Sequence, residues 1–330
     1  MNLDLPLIFT ILMGASILAY VILDGYDLGV GILMPFATRD EQDRMVASIG
    51  PFWDANETWL VLGVGLLLIA FPAAHGLILG ALYLPVLGML IFLMLRGVAF
   101  EFRVKAEGWH RELWNRLFFV GSLGTALSQG VMLGAVVTGF RNETPYWIFN
   151  SFVAIGLAGG YALLGATWLT LKTEATLQLK SFDMARIALL VVAAGIAGVS
   201  IATPLVSPSV FAKWFNFPDT LPLLLLPVTT LLVGGYLWRC INQLRQGIAR
   251  GEWQPFAAAA GIFALAFCGL AYSLFPYLVI DKMTIWQAAS HPSALKVILV
   301  GALIVLPFNI GYTIFAYRVF WGKARELSYG

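Results

Sequence analysis

Trp53-Asp54-Ala55-Asn56-Glu57-Thr58-Trp59 sets two carboxylates and an amide between two indoles, directly before the apolar run Leu60 to Ala74. That run has 15 residues, whereas a helix needs about 20 to cross a bilayer. The shortfall draws Asp54 and Glu57 into the membrane. An ionised side chain there costs roughly 2.5 to 3.5 kcal/mol on insertion scales, so it calls for a partner, a water-filled path or a function.

The surrounding chain is a membrane chain throughout. Its 330 residues are 60% hydrophobic and 12% charged, with a mean hydropathy of +0.84, which excludes a water-soluble enzyme. Apolar density is uniform, so residues 1–330 are expected to form a single transmembrane domain in contact with lipid. No nucleic-acid partner is expected. The start, Met1-Asn2-Leu3-Asp4, lacks the basic region of a cleavable signal peptide, so the first apolar segment is expected to stay as a helix. Cys240 and Cys268 are expected on different helices and predict neither a disulfide framework nor a thiolate metal site.

Nine spans are predicted, at about 6–36, 53–74, 76–95, 117–140, 146–171, 186–206, 221–239, 256–276 and 293–317. All must be helical, because lipid-facing backbone has to satisfy its hydrogen bonds internally. The fold class is therefore all-α, a compact bundle of about nine transmembrane helices. With loops assigned alternately to two sides, one side collects 16 of the 20 Lys and Arg residues, Arg250 and Arg325 among them. Only Arg141, Lys213, Lys282 and Lys296 fall opposite. The positive-inside rule then places the N-terminus outside and the C-terminus in the cytoplasm of a multi-pass protein. The connection from Glu101 to Arg116, which carries Trp109 and Trp114, is expected to be an interfacial loop with an amphipathic turn.

This topology brings charges from three spans to one level. Asp24 lies about 29 Å along the first helix at 1.5 Å per residue, toward the cytoplasmic face, and Asp27 is one turn deeper. In Asp24-Gly25-Tyr26-Asp27-Leu28-Gly29-Val30-Gly31, positions 24, 27 and 31 share a face, and the glycine admits a neighbouring helix. On the second span Trp53, Asn56 and Glu57 share one face, with Asp54 and Thr58 on the adjacent one. The third ends in Arg96-Gly97-Val98-Ala99-Phe100-Glu101-Phe102-Arg103, which places Arg96 and Arg103 two turns apart on one face. Four acids then meet one intramembrane arginine, Arg96. Either Arg96 and nearby hydroxyls neutralise the acids, or the acids form a proton-loading site, since clustered carboxyls beside apolar walls exchange protons near neutral pH.

Metal chemistry is judged from histidine. His75, His110 and His291 all fall in predicted loops, and none stands mid-span where an axial ligand to a membrane haem would be needed. Turn residues are the expected reading.

With these motifs in view the sequence resembles subunit II of the cytochrome bd quinol oxidases over essentially its whole length. Asp24 to Gly31 is similar to the family's first-helix motif and Trp53 to Leu60 to its second. Arg96 to Arg103 resembles the end of the third helix, and Phe275-Pro276 with Met283-Thr284-Ile285-Trp286 resembles the last outer loop. The Asn56-Glu57-Thr58 form is closer to the cyanide-insensitive branch. The resemblance implies a bacterial inner-membrane heterodimer in which subunit I ligates haems b and d and this chain ligates none. It implies no catalytic residue here, but a proton path through Asp54, Glu57, Asp24 and Asp27, with Asp54 the best single match. Trp53, Asn56, Trp59, Arg96, Glu101 and Arg103 then serve structure or interface. Ubiquinone, structural or as substrate, and one or more small single-helix subunits are further partners it allows. Two other classes stay open on residues alone: a secondary transporter or channel with a carboxylate-lined path, and a purely structural membrane partner.

Overall fold

The computed structural model describes residues 3–216, 220–248 and 251–324; Met1, Asn2, Arg250 and Arg325 lie outside them. The chain opens with α1 (Leu5–Leu33), a short turn of 3-10 helix (Met34–Phe36) and α2 (Arg39–Ile49). Then come α3 (Trp53–Ala70), α4 (Pro72–Lys105), α5 (Gly108–Val137), α6 (Thr144–Lys172) and α7 (Ala175–Val206). The remainder comprises α8 (Pro208–Trp214), α9 (Thr220–Leu223), α10 (Leu225–Arg245), α11 (Gln254–Leu274), β1 (Tyr277–Val279), β2 (Met283–Thr284), α12 (Ile285–Ala288) and α13 (Pro292–Val319). Among the described residues nine helices are long and apolar enough to cross a membrane. They are α1, α3 to α7, α10, α11 and α13, the expected number.

The boundaries differ from the apolar runs in an informative way. α3 has 18 residues, about 27 Å at 1.5 Å per residue, so the polar stretch supplies its first turns and completes the crossing. It ends at Ala70 rather than at residue 74, because Phe71 leaves helical geometry and Pro72 opens the next helix. α4 runs on to Lys105 and α5 begins at Gly108, so the expected interfacial loop is helix apart from Ala106 and Glu107. The physical reason is that both helices pack on each other past the end of the apolar run, and Arg103 and Asn115 are buried between them and α2. The three histidines are displaced likewise from loops to helix starts: His75 lies in the first turn of α4, His110 in the first turn of α5, and His291 caps α13.

One hydrophobic core joins α1, α2, α4, α5, α6, α7, α10 and α11, from Tyr26 and Leu28 through Phe100, Phe118 and Trp168 to Ile262. A second cluster closes the opposite end around Phe9, Leu66, Phe71, Val279 and Leu295. There β1 and β2 pair antiparallel, and Trp286 Nε1 donates to Asp4 at 3.1 Å. Glycine sets the closest approach in the first core. A Cβ on Gly29 would stand 1.8 Å from the Tyr161 carbonyl oxygen, and one on Gly165 would stand 2.4 Å from Gly29 backbone. α1 and α6 therefore touch backbone to backbone, which presents Asp24 and Asp27 to the interior instead of to lipid.

At the end that carries α2, Thr38 and Glu41 form a capping box, with Thr38 N–H donating to Glu41 Oε2 at 2.8 Å. Lys180 of α7 reaches the same oxygen at 2.8 Å. Burial pushes the Glu41 carboxyl up, but its bonds from Lys180 and Thr38 outweigh this and hold it below its ordinary range.

Candidate functional site

Five residues from three helices meet inside the first core. Arg96 of α4 places Nη1 2.8 Å from Asp24 Oδ1 of α1, an ion contact with both side chains essentially sealed from the surface. The same Nη1 donates to Glu57 Oε1 of α3 at 3.3 Å, and the Glu57 side chain is 32% exposed. Asp27, fully buried, accepts from Asn56 Nδ2 at 2.8 Å. That amide also lies 3.0 Å from the Tyr26 hydroxyl, which is 2.7 Å from the Tyr317 hydroxyl of α13. Helical spacing explains the grouping: Asp24 and Asp27 are one turn apart on α1, and Asn56 and Glu57 are adjacent on the inward side of α3.

The cluster is incompletely satisfied. Asp24 Oδ2, Asp27 Oδ1, Nε and Nη2 of Arg96, and the hydroxyls of Ser122 and Thr125 on α5 are buried without a hydrogen-bond partner among the described residues, and Asp24 Oδ1 has the Arg96 ion contact alone. A buried polar group left so costs about 1–3 kcal/mol, more when charged, and ordered water is the usual remedy.

Other expected site residues lie elsewhere. Asp54 is exposed on the outer side of α3 and is not part of the Arg96 group. On that side Thr58 donates to Asn309 Oδ1 of α13 at 3.0 Å. Trp53 packs on Phe100 with ring centroids 5.0 Å apart, and Trp59 Nε1 donates to Thr313 at 3.3 Å. Glu101 is exposed. Arg103 is buried, yet it serves a second network: Nε donates to Asn115 Oδ1 and Nη2 to Asp43 Oδ1 of α2, each at 2.7 Å. The shared face of Arg96 and Arg103 holds, but two turns of helix carry them to different partners.

Sequence reasoning missed a deeper strand of polar contacts. Gln129 of α5 accepts from the Tyr161 hydroxyl of α6 at 2.5 Å and donates to the Tyr20 hydroxyl of α1 at 2.6 Å. The available signal was Ser122, Thr125 and Gln129 at helical spacing on one side of an apolar span, together with Tyr20 one turn before Asp24.

Compared with known proteins, residues 5–320 match the family described as cytochrome bd terminal oxidase subunit II. The chain belongs to that family. The cytochrome bd ubiquinol oxidase subunit 2 of Bacillus subtilis (strain 168) is 30% identical over 94% of each chain. The cytochrome bd-I ubiquinol oxidase subunit 2 of Escherichia coli (strain K12) is 26% identical, covering 97% of this chain and 95% of the relative. Among solved structures, the bd oxidase from Geobacillus thermodenitrificans superimposes with a TM-score of 0.79 at 17% identity, covering 97% of this chain and 99% of that one. That likeness extends to the fold alone. As a subunit II, the chain is a multi-pass component of a bacterial respiratory terminal oxidase, with a subunit I beside it and haems in the complex. The transporter or channel reading falls away. Each of the three histidines stands at the start of a helix, and His291 is engaged with Ser293 Oγ at 2.9 Å.

Proposed function

We propose that this chain scaffolds the haem-bearing subunit I and that its membrane carboxylates lead cytoplasmic protons toward the site where quinol electrons reduce oxygen to water. The carrying observation is the position of Glu57. It is one third exposed at one end of an ion-paired row whose other end, across Arg96, is a fully buried acid. Such a row sets two carboxyls able to bind and release protons, one toward the surface and one in the sealed interior, on either side of an arginine that stays charged. The uneven distribution of Lys and Arg puts the α2 end, and with it Glu57, on the cytoplasmic side, with the N-terminus outside.

Asp54 belongs to the scaffold and to the path together. An ionisable side chain on the outward side of a membrane helix needs a covering partner, and subunit I is the occupant proposed. Beside it, a groove of about 670 Å³ runs between α3 and α13, lined by Thr58, Leu66, Phe308, Asn309 and Tyr312. Haems b and d are assigned to subunit I. Ubiquinol, named for the relatives from B. subtilis and E. coli, is the proposed quinol.

The test is turnover of the assembled, haem-loaded oxidase carrying Asp54→Asn or Glu57→Gln. Either change is expected to slow oxygen reduction by about tenfold, about 1.4 kcal/mol on the barrier, with haem content unchanged. Native turnover at native haem content would sink the proton path. Loss of haem together with turnover would instead favour a purely structural role, for which the ion pairing of Arg96 is the specific observation.

A further inference from the structure

Far from the Arg96 group, α7 and α10 bring three arginines together with one acid. α7 starts at the α2 end, where Lys180 reaches Glu41, and α10 comes back to that end at Arg245. Asp183 and Arg186 stand three apart on α7 and share a side, as do Trp238 and Arg245, seven apart on α10. The two sides meet. Arg245 holds Asp183 in a fork, Nε to Oδ1 and Nη2 to Oδ2, each at 3.0 Å, while the Arg186 guanidinium carbon lies 5.0 Å from the centre of the Trp238 ring. Among the described residues Asp183 is the one acid paired with either arginine. Arg239, next to Trp238 in sequence, is exposed.

The fork uses up the acid. Arg186 Nη1 stays 3.9 Å from Asp183 Oδ1, beyond hydrogen-bond reach, so its charge is weakly compensated. A guanidinium stacked on a ring spends none of its N–H donors, which all lie in its own plane. Trp238 therefore fixes the plane of Arg186 and leaves its donor edge free, the preparation that two-point binding of a phosphate needs.

Depth selects the kind of phosphate. Arg186 stands about 16 Å along α7 and Arg239 about 9 Å back from the end of α10 at 1.5 Å per residue, and both helices are long and apolar enough to cross a membrane. Charges so placed lie at the level of lipid headgroups. Leu190, one turn beyond Arg186, and Leu231, two turns before Trp238, are exposed on the same sides and offer an apolar wall to acyl chains. Three arginines against Asp183 leave an excess of positive charge, which an anionic headgroup answers better than a zwitterionic one that brings its own ammonium.

We propose that Arg186, held on Trp238 and flanked by Arg239 and Arg245, binds the phosphate of an anionic phospholipid whose acyl chains lie along Leu190 and Leu231. The site is on helices other than α3, whose outward side is proposed to meet subunit I.

The test is native mass spectrometry of the purified, haem-loaded complex, depleted of lipid by detergent exchange and titrated with dioleoylphosphatidylglycerol or dioleoylphosphatidylcholine. The native complex is expected to retain phosphatidylglycerol in preference. Arg186→Gln should weaken that retention about fivefold, the effect of one arginine at an anionic surface, and leave phosphatidylcholine unaffected. Trp238→Leu, which keeps every charge, is expected to weaken it too. Asp183→Asn, which removes the competing carboxylate and frees Arg245, is expected to tighten it, a gain that damage to the fold would not produce. Arg116, exposed on α5 and paired with Glu112, is the control, and Arg116→Gln is expected to change nothing. Equal retention by the native and Arg186→Gln complexes at normal haem content, an equal loss in Arg116→Gln, or equal loss of both lipids would overturn the proposal. Should Arg186→Gln fail to assemble, native retention in both Trp238→Leu and Asp183→Asn would overturn it as well. An acidic polypeptide found on the native complex in place of the lipid, and released by Arg186→Gln, would do the same.

Discussion

Arg96 and Arg103 stand two turns apart on α4, both buried, and they do opposite things. Arg103 is satisfied on two sides: it binds Asn115 and Asp43, Asn115 donates to Gln42 Oε1 at 2.6 Å, and Gln42 donates to the Met34 carbonyl at 3.1 Å. Asp43 also takes Arg111 at 2.7 Å. Each neutral partner in that network has an alternative, so it behaves as a lock that holds α2 against α4 and α5. Arg96 has two sealed acids nearby, Nε and Nη2 without partners, and a third carboxylate at the surface. The difference teaches that burial of an arginine does not by itself mark function. On the proposed reading, completion of its hydrogen bonds separates a static clamp from a site with protons to exchange.

The largest way to break the comparison is Arg96→Leu. It leaves Asp24 an uncompensated buried charge, and removing one partner of a buried pair costs about 3–5 kcal/mol. Little haem-loaded complex should be recovered, with partial rescue by adding Asp24→Asn. Arg103→Leu should cost less, about 1–3 kcal/mol, since Asp43 keeps Arg111 and an exposed edge; the thermal midpoint of the solubilised complex measures it. Equal losses for the two arginines would erase the distinction.

A double-mutant cycle sharpens it further. Arg96 and Glu57 should couple by about 0.5–3 kcal/mol, whereas the outlying pair Arg39 and Glu112, 3.7 Å apart and largely exposed on the arginine side, should couple by about 1 kcal/mol at most. Additive effects for Arg96 and Glu57 would argue against their contact.

The smallest effect concerns the edge of the clamp. Glu41 is held below its ordinary carboxyl range, with its bonds from Lys180 and Thr38 outweighing burial. A depressed folded value contributes stability that is fully present above the unfolded value of about 4.3 and is lost as pH falls through the folded one. Glu41→Gln should therefore lower the thermal midpoint at neutral pH by the equivalent of about 0.2–1 kcal/mol. The gap should close on acidification below about pH 4.

Much of the fold was legible because bilayer thickness turns hydropathy into a ruler. Nine spans follow from apolar length, and the polar start of α3 follows from a run too short to cross alone. The gathering of Asp24, Asp27 and Glu57 at one membrane level with Arg96 was legible too, because a charge in lipid needs company. Less legible were helix ends. α4 and α5 continue past their apolar runs because they pack on each other and on α2, a tertiary cause that no hydropathy window registers.

The same division runs through the site. Periodicity put Asp54 and Glu57 on adjacent sides of one helix, but could not say which side would meet α1 and α4. Sequence by itself determined that this chain is a helical membrane protein with acids and one arginine gathered toward one end, since composition and the 3.6-residue repeat are properties of the chain alone. Only the tertiary structure decided that Arg96 takes Asp24 and Glu57 while Arg103 takes Asp43, that Asp54 faces outward, and that Tyr161 reaches Tyr20 through Gln129. Those choices depend on how closely backbones approach, and the contact of Gly29 with Tyr161 and Gly165 sets that distance only once α1 and α6 are packed together.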